Sequence, residues 1–153
     1  MTVLNWSYHN LTTEILIEKL NNLENSDEIK QLNLVHTGLT TLKGVIFPKN
    51  LTHLDLSYNE LTTLQGFKCP ENLKILNLAY NLINTLEDVK FSDCLQELGL
   101  GRNNLTTLND VELPNRLRGL NIWNNEIESL AGVEISKLCS VFCSKELHRT
   151  MLT

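Results

Sequence analysis

No stretch of about eighteen apolar residues occurs in the 153-residue sequence, so no membrane-spanning helix is expected. The opening, MTVLNWSYHNLTTEILIEKL, has no basic segment leading into an apolar one. On that ground no secretory leader is expected, and the expected location is cytoplasmic. Positive charge is not in surplus either. The 13 Lys and Arg stand against 18 Asp and Glu, and the net charge of −5 is spread along the chain. That argues against a nucleic-acid partner held by bulk attraction. Cysteine is sparse: Cys69, Cys94, Cys139 and Cys143 form no CxxC pair and do not cluster as a stapled cap would. Reduced, mostly buried thiols are the expectation. No glycine loop of the phosphate-cradling kind is present, and no cofactor is implied.

What is present is a repeat. The chain is 42% hydrophobic and long enough for one domain with a core. From Ile29 it falls into blocks of 22 residues: IKQLNLVHTGLTTLKGVIFPKN, LTHLDLSYNELTTLQGFKCPEN, LKILNLAYNLINTLEDVKFSDC and LQELGLGRNNLTTLNDVELPNR. A 21-residue block, LRGLNIWNNEIESLAGVEISK, follows, and a degenerate sixth begins LCSVFC. The blocks share L-x-x-L-x-L-x-x-N-x-L-x-x-L. Leu54 and Leu56 are two apart and so point to one side of a short strand, inward. Leu61 and Leu64 point inward from the return path. One coil cannot bury such a ridge, whereas stacked coils bury it against one another and align their strands in parallel. Asn59, Asn81, Asn103 and Asn125 fall on the turn after the strand. Each can offer two donors and an acceptor to backbone left bare there. Thr37 holds that place in the first block, and Glu146 would hold it in the sixth.

This pattern resembles the leucine-rich repeat family over residues 29 to about 143. The 22-residue period resembles the short-repeat class of phosphatase-regulator-like and internalin-like proteins, and the GVxFP signature resembles repeats of protist and large-DNA-virus proteins. The resemblance implies an α/β fold, a right-handed horseshoe-shaped solenoid. Short parallel strands would line the concave face and 3₁₀ or extended segments the convex side. The expected organisation is an N-terminal helical cap (1–28), five repeats (29–50, 51–72, 73–94, 95–116, 117–137), and a degenerate sixth repeat with a C-terminal cap (138–153).

The cap helix is expected to start at Thr12 or Thr13 and run to about Leu23, with Leu16, Leu20 and Leu23 on one face. The LTTEILIEKL segment also faintly resembles the opening of an F-box, although an F-box needs roughly twice the space before Ile29. At the other end Ser144 could cap a short helix carrying Leu147 and Met151. That cover is thin, and it leaves the C-terminal edge open to docking of a partner.

In such a solenoid the outward strand residues make a surface, and reading across blocks gives columns. Tyr58, Tyr80, Trp123 and Phe142 are the aromatics expected to face outward, with Arg102 beside them. Aromatic residues and arginine dominate binding hot spots. Gly99, Gly101 and Gly119 are expected to leave bare backbone between Tyr80 and Trp123. His53, Asp55 and Glu97 would set polar specificity. His53, Asp55 and Ser57 have the composition of a catalytic triad, but a flat sheet supplies no oxyanion donors and nothing to hold Ser against His. His36 and His53 fall in different columns, and Cys139 and Cys143 lack zinc-ligand spacing. The expectation is therefore a non-enzymatic module, without catalytic or metal residues, that binds a protein or peptide on the sheet. One alternative is a structural subunit of a larger assembly, such as a viral or cellular particle, contacting through its convex side or ends. The other is a weakly F-box-like ubiquitin-ligase adaptor. No membrane partner is expected.

Overall fold

The computed structural model describes residues 2–137, 139–144 and 147. Each block supplies one short strand. β2 (Ile29–Asn33), β3 (His53–Asp55), β4 (Ile75–Asn77), β5 (Glu97–Gly99), β6 (Gly119–Asn121) and β7 (Ser140–Phe142) stand one per coil. They pair in parallel in chain order, with Gln31 opposite His53, His53 opposite Ile75 and so on down the column. The structure is a parallel β-solenoid of about five turns. Its register is the one that puts Leu32, Leu54, Leu76, Leu98 and Leu120 inward, and each of them is almost wholly buried. Burying one such leucine contributes about 2 kcal/mol, and slipping a strand by one residue would turn it to solvent.

The return path is extended and built from turns. Between β2 and β7 no helix stands among the described residues, so the extended option holds rather than the 3₁₀ one. Two turns recur. In the first, Val45, Phe67, Val89, Val111 and Val133 donate their N–H groups to the carbonyls three residues back, at Leu42, Leu64, Leu86, Leu108 and Leu130. The repeated threonine is part of this corner. Oγ1 of Thr41, Thr63, Thr85 and Thr107, and Oγ of Ser129, accept from the N–H two residues on. The residue before the valine or phenylalanine has positive φ: Gly44, Gly66 and Gly132, but also Asp88 and Asp110. The second turn precedes the next strand, where Pro48, Pro70 and Pro114 accept from Leu51, Leu73 and Leu117. Ser92 takes the proline's place in the third coil and accepts from Leu95.

The N-terminal end departs from the expectation of a helix alone. A strand, β1 (Thr2–Asn5), precedes the helix and pairs in parallel with β2, Leu4 opposite Leu32. Tyr8 then donates its N–H to Val35 O, as His36 does to Ser57 O one coil later. Residues 2–11 are thus half a coil: LNWSYHNL lies in the same place as LDLSYNEL, with Trp6 where Leu56 stands and His9 where Asn59 stands. His9 even imitates the asparagine, its Nδ1 lying 3.1 Å from Trp6 O and 2.9 Å from Ser7 O.

The helix α1 (Thr13–Asn21) follows, with Thr12 Oγ1 accepting the Ile15 N–H as its N-cap. Leu16 and Leu20 are buried in the common core, and Thr13 donates its hydroxyl to Thr41 O in the first full coil. The helix spends its apolar face on this seal. At the far end Ser144 Oγ accepts the Leu147 N–H, while Met151 and Glu146 lie outside the described residues. The four cysteines are free and half-buried. Burial pushes the Cys69 thiol up to about 11.

Candidate functional site

The turn after each strand carries two neighbouring columns with opposite fates. The asparagine column points inward. Asn81 Oδ1 accepts the Leu61 N–H from the preceding coil, and its Nδ2 donates to Leu56 O of that coil and to Leu78 O of its own. Asn59, Asn103 and Asn125 repeat this pattern. Thr37 begins the series, its N–H bonded to Asn59 Oδ1. No buried side-chain nitrogen or oxygen among the described residues lacks a partner.

The residue just before each of these points outward, and its backbone is left-handed. Tyr8, His36, Tyr58, Tyr80, Arg102 and Asn124 all have φ between 56 and 59°. Their side chains form a row along the sheet rim. Tyr8 and His36 meet edge to face at 5.5 Å, and Tyr58 and Tyr80 stack at 4.1 Å. Hydrogen bonding to the Tyr80 hydroxyl, above all, holds the Tyr58 phenol above its ordinary range. Arg102 follows, its guanidinium 5.1 Å from the Tyr80 ring on one side and 4.9 Å from the Trp123 ring on the other. Trp123 reaches this row from the position before Asn124. The row forms one wall of a groove of about 740 Å³. The buried Asn59 and Asn81 also line it, with the exposed Asn10, Glu60 and Leu82.

The structure therefore brings together Tyr58, Tyr80, Arg102 and Trp123, all of them exposed. It leaves the other four sequence candidates elsewhere. His53 stands on β3, its Nδ1 2.8 Å from Thr52 Oγ1. Glu97 is exposed on β5. Phe142 lies on β7, exposed to 61%. Asp55 is engaged within the sheet: its Oδ1 accepts the Ser57 N–H and hydroxyl, and its Oδ2 accepts from Asn77 Nδ2. His53 joins neither, so the three residues make no relay.

The glycine patch is filled at two of its three positions. A side chain at Gly99 would meet Asn77 Oδ1 at 2.8 Å, and Gly101 is buried beneath Asn121 and Trp123. Neighbouring amides take up the space at these two, whereas a side chain at Gly119 would meet only Glu97 Cγ, at 3.7 Å. Sequence reading missed Tyr8, His36 and Leu82 as groove residues. The available signal was the half-repeat LNWSYHNL, in which Tyr8 aligns with Tyr58 once Trp6 is allowed in a leucine's place.

A stacked parallel strand per coil, an inward leucine ridge and a buried asparagine column are now all in place. The architecture is the leucine-rich repeat fold. Residues 27–83 match the family model described as Leucine rich repeat, and no curated protein matches the chain. Leucine-rich repeat domains are in general protein-interaction modules and typically not catalytic. No helix among the described residues is long and apolar enough to cross a membrane.

Proposed function

We propose that this leucine-rich repeat chain binds a protein or peptide on the rim of its sheet, through Tyr58, Tyr80, Arg102 and Trp123, and catalyses nothing. The observation that carries the reading is the backbone under the row. A left-handed residue with a bulky side chain costs roughly 1–2 kcal/mol, and glycine or asparagine would take that place with less strain. Tyr58, Tyr80 and Arg102 all sit there. The contacts they gain are of similar size. An aromatic pair is worth about 0.5–1.5 kcal/mol and an exposed cation–π contact about 0.5–1 kcal/mol. Packing therefore does little more than offset the strain, and the row brings the fold little net stability. Bulky residues held in a costly conformation at a surface point to a task outside the chain.

The test replaces Tyr58 and Tyr80 together by asparagine, the residue that Asn124 already supplies. Affinity capture from the source cell would compare this variant with the wild type, both checked by circular dichroism. Loss of a specific partner from an equally folded variant supports the rim as the site. Retention of the partner sinks the proposal and moves attention to the ends.

A second reading has its own observation. At the C-terminal edge Phe142 is exposed, while Val141 and Cys143, which hold inward positions, are only half-buried. Such an edge supports docking within a larger assembly.

A further inference from the structure

We infer that the groove takes an extended peptide bearing an aspartate or glutamate side chain, with Arg102 as its carboxylate anchor and apolar residues lying along Tyr58 and Leu82. This deepens the reading above and rests on it.

Arg102 is held without being neutralised. Its guanidinium carbon lies over the Tyr80 ring of the coil before it and the Trp123 ring of the coil after it. Among the described residues, though, its guanidinium N–H groups donate to no acceptor, and the ion pair that forms is Lys49 with Asp27. The two rings hold the side chain while its donors stay open. A guanidinium with free donors can bind a carboxylate through two parallel hydrogen bonds. Because the side chain is already ordered, little freedom is lost when the anion arrives.

The groove also has polarity. Glu60 lies on it two coils before Arg102, with Leu82 on the coil between them. Negative charge on a ligand is thus repelled at the middle of the groove and met by an unpaired cation at its Arg102 end. Tyr58, Tyr80 and Leu82, on the coils leading to that end, expose 49, 40 and 47% of their surface. The rungs lie about 4.8 Å apart, so the five from Tyr8 to Arg102 extend over roughly 19 Å. An extended peptide of about six residues matches that length. A nucleic acid strand could stack on the tyrosines, but the chain's net charge of −5 and the groove's Glu60 oppose its phosphates.

The test is selection of a randomised hexapeptide library with blocked ends on the full chain, wild type against Arg102→Gln and Arg102→Lys. Arg102 is exposed, so both variants are expected to fold, which circular dichroism checks. Enrichment of Asp or Glu together with apolar residues is expected on the wild type. Peptides so selected should bind Arg102→Gln roughly 10- to 100-fold more weakly. Arg102→Lys should recover only part of that loss, because a point charge lacks the planar fork. Apolar enrichment without acidic enrichment overturns this inference while leaving peptide binding on the rim intact. Equal acidic enrichment on Arg102→Gln overturns it as well. No binders at all on folded wild type overturns both this inference and peptide binding. A fluorescein-labelled oligothymidylate is the last arm. If it binds the wild type more tightly than any selected peptide does, and the Tyr58→Asn, Tyr80→Asn variant loses it, the occupant is nucleic acid and the peptide assignment fails.

Discussion

Tyr58 and Asn59 are neighbours in the chain and opposites in the fold, and the same holds for Tyr80 and Asn81, and for Arg102 and Asn103. The asparagine column is polar and buried. The row beside it is largely aromatic and exposed. This inverts the usual placement of polar and apolar side chains, and each half has a physical reason. The turn after a strand turns backbone donors and acceptors inward, and a buried amide satisfies three of them at once. The outer row answers no such need. Its members make stacking contacts with each other, yet they occupy a strained backbone that asparagine fills at Asn124. The inner column is explained by stability. The outer row is not, and that difference locates the candidate site.

The sharpest way to break this contrast is to remove an inner amide. Asn81→Ala leaves the Leu61 N–H without a partner in a dry turn and takes one of two amide donors from each of Leu56 O and Leu78 O, which keep Asn59 and Asn103. A loss of about 2–3 kcal/mol is expected by urea denaturation. A loss under about 1 kcal/mol would mean that water enters the turn, and the column would then be no more structural than the row. The outer counterpart, Tyr58→Asn with Tyr80→Asn, is expected to change stability by no more than about 1 kcal/mol in either direction, because relief of strain offsets the lost stack. A destabilisation of about 3 kcal/mol would make the row scaffold.

The row can also be probed by pH. Tyr58 is held above its ordinary range by its bond to Tyr80. A raised pKa means that the protonated form is the one favoured by folding. Its contribution is therefore complete below the unfolded value near 10 and is lost as pH rises through the folded value. Ultraviolet titration should find one tyrosine titrating late in the wild type and none so late in Tyr80→Phe. The smallest expected effect lies on the far side of the coil. Asp88 and Asp110 have positive φ where other coils carry glycine. Asp88→Gly should raise the melting temperature slightly, for a gain of about 0.5 kcal/mol. A lower melting temperature would show that the carboxylate stabilises its turn.

Much of this was readable from spacing alone. Leucines two apart, then five, then three, fit a strand, a turn and a return path, and the observed register follows from keeping Leu54 and Leu76 on one side. The inward asparagines were readable for the same reason. The role of the recurrent threonine was not assigned, because an Oγ1 that accepts from the residue two ahead leaves no trace in hydrophobic pattern. The N-terminal strand was missed because Trp6 and His9 replace the two residue types that mark a repeat. Among the site candidates, Tyr58, Tyr80, Arg102 and Trp123 could be named as outward residues from column position. Their continuity as a row could not, nor could the engagement of Asp55 with Ser57 and Asn77.

The sequence by itself determined the period and the inward leucines and asparagines, because burial and backbone satisfaction repeat every turn of the solenoid. Only the tertiary structure decided which outward side chains touch. The left-handed backbone at Tyr58, Tyr80 and Arg102 aims each side chain along the rim at the next coil, and contacts between residues 22 apart exist only once the coils are stacked. That stacking sets Arg102 between the Tyr80 and Trp123 rings and leaves its donors open.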